Sequence, residues 1–512
     1  MIFDMEKQEA NYDFVIVGSG LGGLVCGCIL ASEGYSVAIL EKNHQIGGML
    51  QVFSREKTIL DTGVHYLGSL NPGENLYQLF KYLGILDELK LKRLGPEKVD
   101  VIRFEDGQEY AIPEGYDRFT QYLTKEFPEE SEAIYAYCEK IREVCSCFPL
   151  YRLDASAPRY LEHPEIMTLN AFEYIGSITQ NKRLQNVLAG TNSFLYAGNR
   201  SSTPFYVHAL IVNSYLSGAF RLIDGGSQLA ILLSRRIRNS GGQIFRRKKV
   251  TGARYDDKKM IAVTTEDGSI FYGKNFISNL HPASTVRLFG EQHFLKVYNR
   301  RITGLTNSIS SFTAHLIFKP GAFPYLNYNI YQYHRDDVWG GPDYTPDTWP
   351  EQYFISTPAH SKSPEYAESM SVMAFMRFEE VAEWADSFNT VAEPGARGTD
   401  YERFKKQKEE QILVRLEHVF PGIRRQIKSI HSSTPLTFRD YTNSPDGSMY
   451  GISKTTENPL STVISTKTHV PNLYLTGQNI FMHGILGVAL GAVATCSMFL
   501  EKETLIRKIA DA

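Results

Sequence analysis

The sequence has few cysteines and little net charge. Its 512 residues include only six cysteines, and the formal net charge is −3. So small a charge creates no field that would attract nucleic acid, and we expect no nucleic-acid partner. Cys145 and Cys147 stand close together, but no second cysteine pair or nearby histidine completes a set of metal ligands. We therefore expect reduced, buried thiols and no metal site.

We expect neither a secretory signal nor a membrane-spanning segment. The opening letters MIFDMEKQEANYDF contain no basic segment followed by an apolar stretch, so we expect a cytoplasmic protein. Residues 480–500 are apolar enough to resemble a membrane span, but they contain His483 and regularly spaced glycines. We expect these small residues to allow close packing against another helix.

What the sequence does contain is a strand–helix–strand unit with spaced glycines at its first turn. The letters YDFVIVG and YSVAILEK predict two buried strands, and LGGLVCGCILASEG between them has the length of a helix. Gly18 permits the tight turn, Gly20 lets a pyrophosphate approach the backbone, and Gly23 lets the helix pack closely on the strand. Glu41 ends the second strand, where a carboxylate can accept hydrogen bonds from ribose hydroxyls. The unit therefore predicts a dinucleotide site at the helix N-terminus.

Two later stretches predict further parts of the same domain. Residues 241–280 have the pattern of a β-meander with turns at Asp256–Asp257 and Asp267–Gly268. Near the carboxyl end, NLYLTG predicts a strand that is followed by a glycine-rich helix. The nucleotide domain is then discontinuous and is expected to comprise residues 1–75, 220–295 and 430–512.

The two insertions, residues 76–219 and 296–429, are expected to form a substrate domain. ENLYQLFKYLGILDEL and SEAIYAYCEKIREV have apolar residues at helical spacing, whereas SFTAHLIF and LNYNIYQY alternate like strands. We therefore predict an α/β protein in which an α+β substrate domain, a sheet with a helical cap, is inserted into a Rossmann-like domain. The aromatic loop 334–352 is compatible with a lid, with a membrane-touching surface or with a plain surface excursion.

Five stretches of the chain together resemble the phytoene desaturase, carotenoid isomerase and retinol saturase family of FAD-dependent oxidoreductases. They are VIVGSGLGGL, LEKNHQIGG, LDTGVHYLG, GGSQLAILLSRRIRNSGG and NLYLTGQNIFMHGILGVALGA. DTGVHY and TGQN…HGILG are most similar to retinol saturase and its bacterial relatives. The resemblance implies a flavoprotein fold of the GR2 type, with FAD as the cofactor.

The resemblance also implies which residues contact FAD. They are Gly18, Ser19, Gly20, Gly22, Gly23, Glu41, Lys42, Gly48, Met49, Val250, Gly477, Gln478, Gly487 and Val488. One of these residues departs from the family pattern, because many relatives carry arginine where Met49 follows the Gly-Gly pair. The charge near the flavin is therefore left open.

The activity that the resemblance implies is an oxidation or reduction at a C=C bond of an apolar isoprenoid or polyene, as in a retinol saturase. Desaturation of a phytoene or carotenoid and cis–trans isomerisation would use the same site, and the motifs do not separate them. Two alternatives come from other classes: an amine oxidase on the same scaffold, and a non-enzymatic lipid-binding carrier like the Rab-escort and GDP-dissociation-inhibitor proteins. The complete set of ring-facing motifs favours an enzyme.

Reduction of a C=C bond needs a proton as well as a hydride, so an acid near the flavin is useful. His65, Tyr66 and His483 flank the flavin motifs and are the candidates. For each of them a structural role, such as bonding the backbone or stacking, is the alternative. The helix that begins near Gly484 is expected to point its N-terminus at the flavin.

The partners follow from the same reasoning. One dinucleotide fingerprint is present, so we expect no second, permanent NAD(P) domain. The electron donor is left open between NAD(P)H visiting the substrate tunnel, a small redox protein, and no donor at all if the net reaction is isomerisation. Apolar small molecules reside in membranes, which predicts peripheral membrane contact through the helical cap rather than a span.

Overall fold

A computed structural model of the protein describes residues 11–156 and 163–512. Most of the segment used above to argue against a secretory signal, residues 1–10, lies outside the described residues. The described strands, in chain order, are β1 Asn11–Val17, β2 Val37–Leu40, β3 Val52–Arg55, β4 Thr58–Asp61, β5 Leu67–Gly68, β6 Leu91–Arg93, β7 Asp100–Phe104, β8 Glu109–Ile112, β9 Ala219–Leu222, β10 Gln243–Phe245, β11 Val250–Asp256, β12 Lys259–Thr265, β13 Ile270–Ser278, β14 Ser310–Phe318, β15 Asn329–Tyr333, β16 Gln352–Ser356, β17 Ser369–Met376, β18 Ile427–Ser433 and β19 Leu473–Leu475.

The described α-helices are α1 Leu21–Ser32, α2 Asn75–Tyr82, α3 Tyr116–Glu126, α4 Ser131–Ser146, α5 Pro149–Arg152, α6 Pro164–Thr168, α7 Ala171–Ile178, α8 Lys182–Leu188, α9 Asn192–Leu195, α10 Phe205–Leu216, α11 Ser227–Asn239, α12 Pro282–Phe289, α13 Lys296–Thr303, α14 Gly398–Val419, α15 Ile423–Gln426, α16 Pro435–Thr442, α17 Gly484–Cys496 and α18 Lys502–Ala510. Short 3₁₀ turns include Gly48–Leu50, just past β2, and Phe378–Trp384, just past β17.

The first sheet unites three remote parts of the chain. Its strand order is β10-β2-β1-β13-β12-β11, and β19 pairs with β13. The pairs β1–β2, β1–β13, β2–β10 and β13–β19 are parallel, whereas β11, β12 and β13 form the antiparallel meander. Both β1 and β2 are almost wholly buried, because helices cover the parallel part of the sheet. The carboxyl ends of β1 and β2 therefore lie together at one edge.

The glycine-rich carboxyl-terminal helix α17 packs on α1. The Sγ atom of Cys26 on α1 lies 3.7 Å from the carbonyl oxygen of Ala492 on α17, a spacing that leaves no room for large side chains between the helices. Among the described residues, no helix combines the length and the apolar character that a bilayer crossing requires.

The second sheet joins the two insertions. Its order is β18-β14-β17-β16-β15-β7-β8, and β15 pairs in parallel with β7. The sequence patterns had indicated helices for residues 76–219, but β7 and β8 in that segment extend this sheet. The expected domain boundary at residue 430 lies inside β18, so the strand continues the sheet into the segment assigned to the nucleotide domain.

The helices of residues 116–216 form a cap beside this sheet. His208 on α10 lies between two tyrosine hydroxyls: its Nε2 is 2.7 Å from Tyr137 on α4, and its Nδ1 is 2.7 Å from Tyr196. The Tyr137 hydroxyl also donates to the carbonyl of Leu188, so Nε2–H donates to Tyr137 and Tyr196 donates to Nδ1. This buried network holds α10 against α4 and Tyr196 within the cap.

The aromatic loop 334–352 does not form a lid. Trp339, Tyr344 and Trp349 are buried, and the Trp349 indole N–H donates to the carbonyl of Phe375 on β17 at 2.7 Å. The loop therefore packs its rings against the second sheet, where their burial is more favourable than exposure to water.

Candidate functional site

A cavity of about 530 Å³ opens where the amino-terminal unit, the meander and the carboxyl-terminal segment meet. Eleven of the residues expected to contact a cofactor line it: Gly18, Gly20, Gly22, Glu41, Lys42, Gly48, Met49, Val250, Gly477, Gln478 and Val488. Their side chains and backbone come from segments hundreds of residues apart in sequence. The tertiary structure therefore brings together most of the residues that were selected from separate motifs.

The turn between β1 and α1 is too close-packed for side chains. A Cβ atom on Gly23 would lie 2.1 Å from the carbonyl oxygen of Gly18, and Gly18 itself has a φ of +97°. Gly20 is the N-cap residue of α1, and as a glycine it has no side chain with which to cap this helix end. The first backbone N–H groups of α1 consequently need other partners, which is the property of an anion-binding helix end.

Glu41 is buried at the end of β2 and is fully engaged with the backbone around it. Its Oε2 accepts hydrogen bonds from the backbone N–H of Ser19 at 3.1 Å and from the Ser19 hydroxyl at 2.5 Å. Its Oε1 accepts from the backbone N–H of Asn43 at 2.8 Å. These contacts fix the carboxylate at the cavity wall, and a carboxylate retains further lone pairs for hydroxyl donors.

Ser19, Gly23 and Gly487 are the predicted cofactor residues that do not line the cavity. Ser19 orients Glu41, and Gly23 packs against Gly18 as described above. A Cβ on Gly487 would lie 2.5 Å from the Met482 side chain, so this glycine permits the close turn before α17. Each of the three supports the cavity from behind.

Asn279 is a cavity residue that the motifs did not indicate. It directly follows β13, and its side-chain amide faces the glycine turn. With its amide oxygen turned toward that turn, it accepts hydrogen bonds from the N–H groups of Gly20 at 3.2 Å and Gly23 at 3.3 Å. The only signal in the sequence was the polar residue at the end of a strand expected to lie beside β1.

Residues 385–397, which we call the strap, cover the end of the cavity near Lys42 and Val250. Phe388, Thr390, Ala392 and Glu393 of the strap line the cavity. Buried Asp440 holds the strap: its Oδ2 accepts from the backbone N–H of Asn389 at 2.9 Å and pairs with Arg397.

Asp440 also contacts Lys42. The Lys42 Nζ donates to the backbone carbonyl of Asp440 at 2.8 Å. Burial lowers the pKa of Lys42 below its ordinary value, and the neighbouring carboxylates of Glu41 and Asp440 oppose this shift. Lys42 therefore ties the strap to the end of β2.

The three candidate acids all line the cavity, at the end away from the strap. Burial lowers the pKa of His65 to about 4, and neither of its ring nitrogens has a hydrogen-bond partner among the described residues. The Tyr66 hydroxyl lies 2.7 Å from that of Tyr331 and 3.2 Å from Asp100 Oδ2. Burial raises the pKa of Asp100 to about 7. The structure brings the candidates together, while their catalytic roles stay predictions.

His483 is the N-cap residue of α17, and its Nε2 lies 2.8 Å from the carbonyl oxygen of Leu195. A carbonyl only accepts, so this nitrogen carries the proton and Nδ1 is the acceptor. Burial lowers the pKa of His483 to about 4, which keeps the ring neutral near pH 7. Gly484 and Ile485 at the start of α17 also line the cavity, as expected for a helix that begins at the site.

All six cysteines lie within the described residues and are buried and unpaired. Across residues 11–156 and 163–512, no group of three or more His, Cys, Asp or Glu side chains is arranged to hold a metal ion.

A sequence profile of the NAD(P)-binding Rossmann-like domain matches residues 16–83. All-trans-retinol 13,14-reductase of Rattus norvegicus is 26% identical to this chain over an alignment 554 residues long, gaps included. The alignment covers 98% of this chain and 87% of the relative. Chloroplastic prolycopene isomerase of Daucus carota is 23% identical over 505 residues, which cover 95% of this chain and 79% of the relative. The similarity therefore extends over nearly the whole chain, well beyond the glycine motif.

Solved structures share the fold. An oxidoreductase from Methanosarcina mazei has a TM-score of 0.66 at 15% identity, covering 94% of this chain and 99% of its own. A triple mutant of putrescine oxidase has a TM-score of 0.64 at 12% identity, covering 98% of this chain and 99% of its own. These likenesses confirm the predicted fold class. The similarity to the two curated relatives over nearly the full chain confirms the predicted resemblance to the phytoene desaturase, carotenoid isomerase and retinol saturase family.

Proposed function

We propose that the protein binds FAD in this cavity and reduces a C=C bond of an apolar polyene, as a retinol saturase does. The observation that carries the proposal is the convergence of the glycine turn, Glu41 and the start of α17 around one cavity with an aromatic far end. The name of the rat relative, all-trans-retinol 13,14-reductase, motivates the choice of reaction.

The residues at the glycine-lined end fit a dinucleotide. A Cβ on Gly22 would lie 2.9 Å from the backbone nitrogen of Gly477, and one on Gly48 would lie 3.2 Å from the Cα of Gly20. Glycine at these positions therefore lets the backbone segments around the turn approach one another closely, as a pyrophosphate-binding turn requires. The N-terminus of α1 would bind the phosphates, and Glu41 would accept hydrogen bonds from the ribose hydroxyls.

The other residues expected to contact FAD lie at intervals along the cavity. Val250 lies beneath the strap and would contact the adenine, whereas Gly48, Met49 and Val488 would contact the flavin. When bound, FAD supplies the capacity to transfer a hydride. The start of α17 faces the same space, and its partial positive charge would stabilise negative charge there.

The far end of the cavity suits an apolar substrate. Phe194, Phe354 and Met373 line it together with Leu195 and Tyr450. The centroid of the Phe354 ring lies 6.1 Å from that of Phe194, and the Tyr450 hydroxyl donates to the carbonyl of Phe194. Aromatic and thioether surfaces offer dispersion contacts to a conjugated chain and exclude water from it.

The first test is the visible absorption spectrum of the purified protein. We expect the visible absorption bands of a bound, oxidised flavin, and release of FAD rather than FMN on denaturation. A colourless protein that takes up no FAD would contradict the proposal and would favour the lipid-binding carrier of the same fold.

The second test is anaerobic and starts from chemically reduced holoenzyme, so it does not depend on the natural electron donor. We expect all-trans-retinol to reoxidise the flavin and to gain two hydrogen atoms, which mass spectrometry of the product would detect. NAD(P)H and small redox proteins can then be compared as donors.

Isomerisation of a carotenoid is the second candidate, and it is motivated by the relative named prolycopene isomerase. The same experiment separates it from reduction, because an isomerised product elutes differently at unchanged mass and leaves the flavin reduced. Desaturation would instead reduce oxidised flavin. Peroxide formation from amines would indicate the amine oxidase alternative.

Membrane contact through the cap is part of the proposal. We expect the protein to sediment with liposomes that contain the apolar substrate. Recovery of all the protein in the supernatant would contradict peripheral binding.

A further inference from the structure

Saturation of a C=C bond consumes one proton for each hydride, so the proposed function requires a proton donor at the far end of the cavity. Neutral His483 is a poor donor, because its one ring proton is directed at the carbonyl oxygen of Leu195. The nitrogens of His65 are enclosed by protein, and burial keeps that ring neutral as well. Neither histidine can readily present a proton to a substrate.

Tyr66 has its hydroxyl directed into the protein. The hydroxyl bonds with Tyr331 and Asp100, and neither of these two residues lines the cavity. Only the remainder of the Tyr66 side chain is therefore available as cavity wall. Ser311 and Ser448 also line the cavity, but their hydroxyl oxygens are enclosed, and an aliphatic hydroxyl is a much weaker acid than a phenol.

Tyr215, near the carboxyl end of α10, differs from all of these. It lines both the main cavity and a second, smaller chamber of about 50 Å³ that adjoins it. Its ring packs against that of Tyr66 with centroids 4.5 Å apart. Within the described residues its hydroxyl has no hydrogen-bond partner. Unlike the His65 nitrogens, the hydroxyl oxygen is not fully enclosed by protein atoms. The hydroxyl is therefore open to the space where the two cavities meet.

We propose that Tyr215 is the catalytic acid of the reduction, an inference that rests on the proposed function. The Tyr215 O–H bond breaks as its proton forms a C–H bond at one carbon of the double bond. Bound, reduced FAD would supply the hydride, with its electron pair, for the other carbon, so that the substrate would be reduced and the flavin oxidised. The tyrosinate regains its proton from solvent after product release.

The surroundings of Tyr215 suit this role. Burial raises the pKa of Tyr215 above its ordinary value, which makes the phenol a weaker acid but keeps it protonated throughout the physiological range and favours reprotonation of the tyrosinate. Asp100, bonded to the adjacent Tyr66 hydroxyl, is a buried carboxyl whose pKa is raised to about 7. A group that exchanges a proton near neutral pH therefore lies directly behind the Tyr66 ring. His208 stabilises the earlier turns of α10 against the cap and so supports the position of Tyr215.

The test compares Tyr215→Phe with the parent holoenzyme in a single turnover of reduced protein with all-trans-retinol in deuterated water. We expect flavin reoxidation by retinol to slow by roughly 100-fold or more. The affinity of the oxidised holoenzyme for retinol, measured by fluorescence quenching, should stay within about twofold, because a phenylalanine retains the apolar contacts. Tyr135→Phe, on the exposed face of α4, is the control for the substitution itself.

A second readout does not depend on the rate. The parent enzyme should place solvent deuterium in one configuration, because a fixed hydroxyl delivers it from one face. Residual product of Tyr215→Phe should have mixed configuration, because water reaches either face.

The outcomes are distinguishable. If the parent forms no saturated product, both the proposed function and the role of Tyr215 as its acid are overturned. If the parent is active and Tyr215→Phe matches it in rate and deuterium configuration, only the inference is overturned. Loss of retinol binding in parallel with the rate would also overturn it, because the hydroxyl would then anchor the substrate. An unchanged flavin spectrum and melting temperature would verify that the variant is folded.

Discussion

The Glu41 carboxylate accepts both the backbone N–H and the hydroxyl of Ser19, at 3.1 and 2.5 Å. The two residues stand 22 positions apart, at the ends of adjacent parallel strands. This contact fixes the carboxylate beside the glycine turn before any ligand binds. A preorganised acceptor loses little conformational freedom on binding, which favours affinity.

Glu41→Gln should weaken FAD binding by about 1.5–3 kcal/mol, or roughly 10- to 100-fold, because charge-assisted hydrogen bonds become neutral ones. Flavin-to-protein absorbance ratios and FAD titration of the apoprotein measure the effect. Glu33→Gln, at the opposite end of α1, is the matched control and should retain its flavin. Equal affinity in the two variants would contradict the assignment of Glu41.

Gly23→Ala should abolish flavin retention. The added Cβ would lie 2.1 Å from the Gly18 carbonyl oxygen, so the turn or α1 must move. Gly176→Ala, in α7, is a suitable control because its Cβ would meet nothing within 4 Å. The measurement is the flavin content after purification, and full occupancy of Gly23→Ala would refute the role of the turn.

The position of Asn279 leads to a prediction about how added negative charge affects FAD binding. Asn279→Asp preserves an oxygen that can accept from Gly20 and Gly23, but it adds a negative charge beside the proposed pyrophosphate site. We expect FAD to bind Asn279→Asp about tenfold or more weakly than Asn279→Ala, with the difference shrinking at high salt. If the aspartate variant binds FAD as well as the alanine variant, the phosphates do not lie near this residue.

The strap should be sensitive to loss of its buried ion pair. Arg397→Ala removes one of the two arginines that pair with buried Asp440, the other being Arg439, and should cost about 1.5–3 kcal/mol of stability. Thermal unfolding followed by flavin fluorescence would detect this loss together with faster FAD release. Arg403→Ala removes an exposed pair with Asp400 and should leave the melting temperature unchanged. Equal melting temperatures for both variants would show that Asp440 is not the anchor.

The raised pKa of Asp61 leads us to expect that the folding stability of the protein depends on pH. Burial raises its folded pKa to about 7, although the backbone N–H of Gly226 and nearby Arg221 oppose the shift. Between about pH 4 and pH 7 the unfolded state loses this proton first, so the contribution of Asp61 to folding falls as pH rises and levels off above pH 7.

The test is Asp61→Asn, which retains an acceptor for Gly226 but cannot ionise. Its melting temperature relative to the parent should rise between pH 5 and pH 8. A relative melting temperature that instead falls over this range would mean that an ionised Asp61 is required.

Several parts of the fold could be predicted because their signals are local. Gly18, Gly20 and Gly23 specify a turn through a few backbone torsions, and Asp257 and Gly268 stand at turns of the meander with positive φ. Apolar runs of strand length identified β1, β2 and β19. The full-length similarity confirms the resemblance that these short motifs indicated.

Other features had no local signal. β7 and β8 lie among helices in the sequence. They form strands because β7 pairs with β15, which is more than 200 residues away. The loop 334–352 has the composition of a surface segment, yet Trp339 and Trp349 are buried because the second sheet offers them an apolar face. Sequence composition does not reveal which surface a loop will meet.

By itself the sequence determined the glycine turn, its acidic partner Glu41 and the resemblance to a family, because each depends on residue types at short, fixed spacing. Only the tertiary structure decided that Asn279 faces the glycine turn, that Asp440 holds the strap, and that the hydroxyl of Tyr215 is open to the cavity whereas that of Tyr66 is bonded within the protein. The physical reason is that hydrogen bonding and burial depend on which distant elements pack together. Those contacts are set by the whole core and not by any one stretch of chain.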